Sequence, residues 1–306
     1  MRISRQQARV RVPATSANLG PGFDSLGLAL ELHDTVEVTA MAGGLEIEVE
    51  GEGAESVPRS EDHAVLRALR EGLDHLGAPQ IGVRMRCRNR IPHGRGLGSS
   101  AAAVVAGLLL ARELVAEPEA LPDVELLDLA SRLEGHPDNA APALLGGVTV
   151  SWTAPEGARA VRLDTSATGQ ALAPVVLLPS GALSTRTARG LLPAEVPHAD
   201  AAFTAGRAAL LVHALTRDPA LLFEATEDRL HQAYRAAAMP QSIELVRVLR
   251  AEGHAAVVSG AGPSVLVLGG PGEGLRDLVR RVVDDPAAWR IARMGIDGCG
   301  ATPVVA

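Results

Sequence analysis

The stretch Pro92-His93-Gly94-Arg95-Gly96-Leu97-Gly98-Ser99-Ser100-Ala101-Ala102 decides the fold. Its three glycines stand at alternate positions, so the backbone can approach a ligand closely. The sequence that follows is apolar almost all round, which predicts a buried helix over 99–116. The N-terminus of such a helix offers unsatisfied N–H groups and the positive end of the helix dipole. The stretch therefore predicts a phosphate-binding loop that opens a central helix.

Two common phosphate motifs do not explain this loop. All 29 cationic side chains of the Lys+Arg count are arginines, which excludes a Walker A lysine, a Schiff-base lysine and a lysine general base. Gly96–Ala101 matches G-x-G-x-x-A, but the strand before it is amphipathic and no acid-ending strand follows the helix. The alternative interpretation is a flexible strand-to-helix turn with a serine cap. Three glycines, two serines and a buried helix in succession favour phosphate.

The composition excludes several classes of protein. The chain has 306 residues, 47% of them apolar, and a net charge of −7, which is typical of a folded protein of one or two domains. An acidic chain without a basic cluster disfavours nucleic-acid and anionic-membrane partners. Cys87 and Cys299 build no disulfide framework. The first residues lack a signal-peptide pattern, and Ala101–Ala111 is too short to span a bilayer. We expect a soluble, cytoplasmic protein.

Hydrophobic periodicity places the secondary structure of the first half. The predicted helices lie over 61–76, 99–116 and 123–134, and the predicted strands over 9–13, 34–39, 45–50, 81–91 and 148–152. In Ile81–Ile91, arginines alternate with apolar residues, which indicates a strand with one solvated face.

A loose stretch over 154–170 follows, and it predicts a domain boundary near Leu163, with domains over 1–163 and 164–306. The second half has strands predicted over 175–178 and 290–296, a hairpin over 255–258 and 265–268, and helices near 200–216, 219–230, 241–252 and 273–284. Because the strand signals are mostly antiparallel, the fold class is α+β.

A second motif, Leu133–Asn139, lies at the end of the predicted helix over 123–134. A glutamate at the negative end of a helix dipole is unfavourable unless a cation lies nearby. Mg²⁺ that bridges nucleotide phosphates would supply that cation. The alternative is a solvated glutamate before a turn.

Two glycine-rich loops complete the candidate features. Val12–Asp24 predicts a rigid turn that presents Asn18 and Asp24 on one rim, or only a turn. Ser259–Ser264 lies between two apolar strands, where it forms either a hairpin turn or a nest of N–H groups for an anion. His93 is interpreted as a turn histidine beside the glycines rather than a catalytic group.

In this order and spacing, the motifs resemble the GHMP small-molecule kinases. Pro92–Ala102 resembles the ATP loop of that family, and Ser259–Ser264 resembles its C-terminal glycine motif. Four further segments resemble the branch that phosphorylates homoserine: Pro13–Asp24 (PATSANLGPGFD), His136–Pro142 (HPDNAAP), Ser184–Pro193 with Arg189, and Asp228–Arg235 (DRLHQAYR). The resemblance covers about positions 10 to 268, which is most of the chain.

The resemblance implies a two-domain α+β kinase. Its N-terminal domain would be similar to the second domain of ribosomal protein S5, and its C-terminal domain would be ferredoxin-like. The implied reaction uses ATP and Mg²⁺ to phosphorylate the side-chain hydroxyl of L-homoserine to O-phospho-L-homoserine, on the way to threonine.

The resemblance also implies roles for single residues. Pro92 to Ala102 would bind ATP, and Ser99 with Glu134 would hold Mg²⁺. The amino acid would be bound by Asn18, Asp24, His136, Asn139, Arg189, Arg235, Gly260 and Gly262. The catalytic set would be Asp24, Ser99, Glu134 and Arg189. Near the adenine, the family commonly has an asparagine where this chain reads Glu61-Asp62-His63, so His63 is the residue expected to contact the base.

The chemistry of the residues agrees with an amino-acid substrate. Asp24 can pair with an ammonium group, and Arg189 and Arg235 can grip a carboxylate. Two rivals stay open: a kinase of another small alcohol such as mevalonate, and a non-catalytic ATP- or ligand-binding regulator. The two arginines argue against the first, and the intact acidic residues argue against the second. The residues leave open whether Asp24 accepts the hydroxyl proton, and also the oligomeric state, a homodimer included.

Overall fold

The computed structural model describes residues 1–168, 172–269 and 274–304. The strands are β1 Gln7–Ala17, β2 Leu26–Met41, β3 Leu45–Gly51, β4 Gly82–Asn89, β5 Val148–Ala154, β6 Gly157–Leu163, β7 Val175–Pro179, β8 Ala255–Val258, β9 Val265–Leu268, β10 Trp289–Arg293 and β11 Thr302–Pro303. They form a seven-stranded sheet, in which β11-β1-β2-β4-β3 are consecutive and β5 joins β2 to β6, and a four-stranded sheet of order β10-β7-β9-β8. Every pair is antiparallel except β3 with β4. The α+β expectation is confirmed.

The helices cover both sheets. They are α1 Ala64–His75, α2 Ser99–Leu114, α3 Asp123–Glu134, α4 Ala140–Leu145, α5 Thr185–Gly190, α6 His198–Thr216, α7 Leu222–Ala225, α8 Pro240–Ala251 and α9 Leu275–Val282. Among the described residues, none of these helices has the length and apolar character that crossing a membrane requires.

Helix α2 lies at the centre of the N-terminal half. Its residues 104–111 are all buried, and it packs against β1, α1 and α3. A Cβ atom at Gly107 would overlap the carbonyl oxygen of Val65 and approach Ala68 of α1, so the glycine lets the two helices touch. Because this helix is fixed on several sides, its N-terminus and the loop before it are held rigidly.

The arginine row of β4 forms a ladder of ion pairs with β3. Arg84 contacts Glu46 at 2.6 Å and Arg86 contacts Glu48 at 2.9 Å, with all four side chains about half exposed. Such pairs contribute little to stability because solvent screens them. The ladder confirms the prediction of a strand with one solvated face.

Some predicted elements match closely and others are wrong. The helix over 123–134 and the β8–β9 hairpin are confirmed. The helix over 219–230 is wrong: only α7 is α-helical there, after a single 3-10 turn at Pro219–Leu221. Beyond it, the Asp228 carboxylate accepts the backbone N–H groups of Leu230, His231 and Gln232, which ends the helical pattern in a turn.

The loose stretch over 154–170 is also corrected, because β6 occupies 157–163 and pairs with β5. Residues 169–170 of that stretch and residue 273 of the predicted helix over 273–284 lie outside the described residues. Strands β1 and β2 are longer than the predicted segments over 9–13 and 34–39, and α4 and α5 were not predicted.

The chain changes sheets between Leu163 and Val175 and returns near its end. Ile296 bridges to Leu30 of β2, and β11 pairs with β1. Asp297 anchors this return, with its carboxylate 2.7 Å from His33 Nε2. The division into 1–163 and 164–306 stays a prediction, and Ile296, Thr302 and Pro303 pair with strands of the first sheet.

Candidate active site

A cleft of about 350 Å³ lies between the two halves of the chain and collects residues from every sequence motif. The predicted site residues that line it are Asn18, His63, Pro92 to Ala102, Glu134, His136, Asn139, Arg189, Arg235 and Gly260. Asp24 joins the site through its contact with Arg189. A Cβ atom at Gly262 would meet Met239 and Val258, so Gly262 packs inside the second half.

The glycine-rich loop leads directly into the N-terminus of α2. Gly94, Gly96 and Gly98 have φ values of +64°, +69° and +66°, which glycine adopts without steric cost. The first helical bond runs from the Ala102 N–H to the Gly98 carbonyl at 2.9 Å. Residues 99–101 line the cleft, and their N–H groups have no partner within the helix, which is the arrangement that binds anions at helix N-termini.

Backbone hydrogen bonds from distant segments fix this loop. Thr15 of β1 donates its N–H to the Leu97 carbonyl at 3.0 Å. Leu183, which precedes α5, donates its N–H to the Gly94 carbonyl at 2.7 Å. The loop is thus connected both to the central sheet and to the segment that carries Arg189.

Arg95 has its guanidinium directed at the second sheet. Its Nε donates to the Pro179 carbonyl at 2.9 Å and its Nη2 to the Ser180 carbonyl at 2.5 Å, at the end of β7. Ser259 Oγ lies 2.7 Å from the Gly96 carbonyl, so the C-terminal glycine motif, Ser259–Ser264, also contacts the phosphate loop. In this structure the loop offers backbone N–H groups to an anion, and Arg95 serves to anchor it.

We expect Gly98→Ala to reduce both stability and nucleotide affinity. A Cβ atom at Gly98 would overlap Thr15 Oγ1 and lie 3.0 Å from Asn139 Oδ1, in addition to the cost of about 1–2 kcal/mol for a left-handed alanine. Gly94→Ala is the matched control, since its φ is similar but the nearest atom, Ala182 Cβ, is 3.2 Å away. Thermal unfolding and calorimetric titration with an ATP analogue would measure the difference. Equal losses in both variants would contradict this packing.

Glu134 is a largely buried carboxylate at the end of α3. Its Oε1 accepts the hydroxyl hydrogen of Ser100 at 2.6 Å, so the structure shows a contact with Ser100, the neighbour of the predicted ligand Ser99. Burial raises the pKa of Glu134, although the Ser100 hydrogen bond and the charge of His136 work against that rise. Among the described residues, Glu134 makes no ion pair. A desolvated carboxylate beside a phosphate loop suits a hard cation such as Mg²⁺.

His136 and Asp138 form a compact pair beside Glu134. His136 Nδ1 lies 2.6 Å from Asp138 Oδ1, and Asp138 is buried. Burial lowers the pKa of His136, but the hydrogen bond and the charge of Asp138 together raise it above the usual value. Asn139 Oδ1 accepts the Thr15 hydroxyl at 2.8 Å, which orients its amide group along the cleft.

Asp24 and Arg189 form an ion pair between residues 165 positions apart. The two guanidinium Nη atoms donate to the two carboxylate oxygens at 3.1 and 2.5 Å. Asn18 supports this pair, since its Oδ1 accepts the Asp24 N–H at 3.0 Å and its Nδ2 donates to the Gly260 carbonyl at 2.9 Å. Both groups of the Asn18 amide are thus used within the protein, which makes Asn18 a support of the rim in this structure.

Arg235 is a buried cation that faces the cleft, with 1% of its surface exposed. Its Nη1 lies 3.0 Å from His231 Nδ1 and 3.3 Å from the Gly260 carbonyl, and its Nε has no partner among the described residues. Burial and then the charge of Arg189 lower its pKa, yet a guanidinium stays charged. A buried arginine with no carboxylate in ion-pair contact, among the residues described, favours an anionic ligand.

Sequence reasoning missed three residues of this site. Phe23 lies under the guanidinium groups of Arg189 and Arg235, at 5.5 and 5.7 Å from its ring centroid. The His231 ring stacks on the Phe23 ring, with 4.8 Å between the ring centroids. Asp138 contacts His136 and holds that histidine in place. All three lie inside segments that the sequence singled out, but no local pattern separates them from their neighbours.

The other end of the cleft has an apolar wall, beside which Asp34, Asp62 and Asn89 also line the cleft. This wall is formed by Val36, Val57, Pro58, Ala64, Val65 and Pro92. His63 lies there with 4% of its surface exposed, and neither of its ring nitrogens has a partner among the described residues. Burial and then the charge of His93 lower its pKa, so the ring stays neutral. A neutral imidazole offers one donor and one acceptor.

Comparisons with known proteins agree with this geometry. The family model for the GHMP kinases N terminal domain matches residues 63–147. Homoserine kinases from Streptomyces coelicolor and Streptomyces avermitilis are 55% and 54% identical over 295 residues, which is 96% of this chain and 93% and 94% of theirs. The crystal structure of homoserine kinase from Cytophaga hutchinsonii superposes with a TM-score of 0.84 at 25% identity and covers 98% of both chains. The chain therefore belongs to the GHMP kinase family and, within it, to the homoserine kinases.

Proposed function

We propose that this chain transfers the γ-phosphoryl group of ATP to the side-chain hydroxyl of L-homoserine, which yields ADP and O-phospho-L-homoserine for threonine biosynthesis. The main support for this reaction is the arrangement of charged groups in the cleft. The cleft contains two candidate anion sites, the N-terminus of α2 and the buried guanidinium of Arg235, together with the largely buried carboxylate of Glu134, which has no ion-pair partner among the described residues. Two anion sites along one cleft suit a nucleotide and a small carboxylate substrate.

The phosphates of ATP would lie on the free N–H groups at the start of α2. Mg²⁺ would be held by the Glu134 carboxylate, with the hydroxyl of Ser99 or Ser100 beside it. When bound, the ion neutralises the negative charge that develops on the phosphate oxygens. Glu134 suits this role because burial removes much of the water that would otherwise solvate its carboxylate. In addition, no cationic side chain pairs with it among the described residues.

The amino-acid substrate would lie at the other side of the loop. Nε of Arg235 has no hydrogen-bond partner among the described residues, so the guanidinium would donate to the substrate carboxylate, and Asp24 would offer its own carboxylate to the ammonium group. Because Asp24 pairs with Arg189 in this structure, the substrate would exchange into an existing pair: its ammonium group would share Asp24, and its carboxylate would share Arg189. His136 lies near the charges of Arg189 and Asp24, and Asn139 lies beside Gly98 of the phosphate loop, so these two side chains would orient the reacting hydroxyl.

The base of ATP would lie in the apolar end of the cleft with His63 at its wall. The neutral ring can donate to one edge atom of adenine and accept from another, which an asparagine amide also does. This match in hydrogen-bonding capacity supports a base contact from His63 at a position where asparagine is common in the family.

Phosphoryl transfer in this site would depend on positioning and charge neutralisation. The loop, Glu134 and Arg235 provide those effects without a strong general base. Asp24 is within the substrate region, and it would take the hydroxyl proton only after exchange of its Arg189 partner.

A coupled assay of ADP release tests the substrate assignment. We expect ADP release to depend on homoserine and to be near background with mevalonate, galactose or no added substrate. Equal rates with mevalonate would contradict the assignment to an amino acid, and ADP release that ignores every added alcohol would contradict a transferase.

A further inference from the structure

His231 lies in the buried wall behind the proposed carboxylate site. Its side chain has 0% exposure and belongs to the turn that Asp228 caps. The ring Nε2 lies 2.7 Å from the Gly20 carbonyl, 211 positions away, and Nδ1 lies 3.0 Å from Arg235 Nη1. The histidine thus connects the rim that carries Asp24 to the buried arginine.

These two contacts define the protonation state of the ring. A carbonyl oxygen only accepts, so Nε2 must carry the hydrogen that Gly20 receives. A guanidinium only donates, so Nδ1 must present a lone pair to Arg235. The ring is therefore neutral and in the Nε2–H tautomer. A doubly protonated ring would direct an N–H group at an N–H group of Arg235.

We propose that neutral His231 is a positioning residue: by accepting from Arg235 Nη1, it aims the remaining donors of this arginine at the carboxylate of the amino-acid substrate. The inference rests on the proposed role of Arg235 in substrate binding. Gly260 is the second acceptor for the same Nη1, at a longer 3.3 Å. With Nη1 held in this way, Nε remains a buried donor that has no hydrogen-bond partner among the described residues.

The surroundings of His231 favour the neutral ring. The charged groups that act on it are Asp228, whose Oδ2 lies 3.8 Å from Nε2, Arg235 and Asp24, and the Phe23 ring stacks on it. Burial lowers the pKa of His231, the two carboxylates oppose that effect, and Arg235 adds to it. Asp228 already accepts backbone N–H groups of the turn, so its charge is partly engaged.

Two substitutions separate the hydrogen bond from the shape of the ring. His231→Phe keeps a ring on Phe23 but removes the acceptor, and His231→Asn keeps an amide oxygen near the position of Nδ1. Since a hydrogen bond to a charged group is involved, we expect His231→Phe to raise KM for homoserine by about ten- to a hundredfold. His231→Asn should recover most of that loss. In both variants kcat should change less than KM, and KM for ATP should stay the same.

Nitrogen NMR of the imidazole in the wild-type enzyme tests the contact independently of activity. We expect a protonated Nε2 and an unprotonated Nδ1 at neutral pH, and the reverse tautomer or a charged ring would overturn the inference, even if His231→Phe fails to fold. The Arg235→Ala variant separates the substrate role of Arg235 from the positioning role of His231. An unchanged KM for homoserine in Arg235→Ala would reject the substrate role of Arg235 and, with it, the positioning role. A raised KM in Arg235→Ala together with a normal KM in folded His231→Phe would reject only the positioning role.

Discussion

Replacing Glu134 by glutamine is expected to lower kcat by about two to three orders of magnitude, because the amide keeps the shape of the side chain but removes the charge that would hold Mg²⁺. The amide oxygen can still accept the Ser100 hydroxyl, so the loop geometry should persist. Burial penalises the charged form of Glu134, and a neutral amide should leave the melting temperature unchanged or raise it. The expected signature is therefore loss of turnover without loss of fold.

Steady-state kinetics at saturating Mg²⁺ and thermal unfolding would measure both quantities. Glu125→Gln is the matched control, since Glu125 lies on the same helix but is 52% exposed and, in the described part of the chain, pairs with His75 alone. We expect the control to have normal turnover. Near-normal turnover of Glu134→Gln would contradict the assignment of Glu134 to the metal.

The second large effect concerns the amino-acid site. Arg235→Ala should lower kcat/KM for homoserine by roughly thirty- to several-thousand-fold, because truncating one member of a buried charged set typically costs about 2–5 kcal/mol. The substitution also leaves His231 Nδ1 without its donor. Affinity for ATP should hardly change, since among the described residues Arg235 hydrogen-bonds to His231 and Gly260 and to no residue of the phosphate loop.

A truncated substrate sharpens this test. 3-Amino-1-propanol keeps the ammonium and hydroxyl groups of homoserine but lacks the carboxylate, so the wild-type enzyme should use it poorly. Arg235→Ala should lose little further activity on it, because the missing contact is the same. Arg229→Ala serves as the control: this arginine is half exposed over Phe203 and should leave homoserine kinetics unchanged. Equal losses of Arg235→Ala on both substrates would show that Arg235 supports the phosphate or the fold.

The sequence by itself determined the elements whose signals are local. A helix over 123–134 follows from the spacing of its leucines, and the central helix follows from an apolar run behind alternating glycines. The resemblance to the GHMP kinases predicted that motifs far apart in the sequence form one site, and they line one cleft. The prediction of a helix over 219–230 was wrong. The helical spacing of apolar residues continues there, but the Asp228 carboxylate accepts backbone N–H groups and forms a turn instead.

Only the tertiary structure decided which predicted groups face each other. Arg189 was predicted to bind the carboxylate of the substrate, but in the structure it forms an ion pair with Asp24. The hydroxyl that contacts Glu134 belongs to Ser100 and not to Ser99. These outcomes depend on sheet register and on the left-handed turn at Asn18 and Asp24, which join residues more than 150 positions apart. Sequence periodicity reports neighbours three or four positions apart, so contacts of this length have no signature in it.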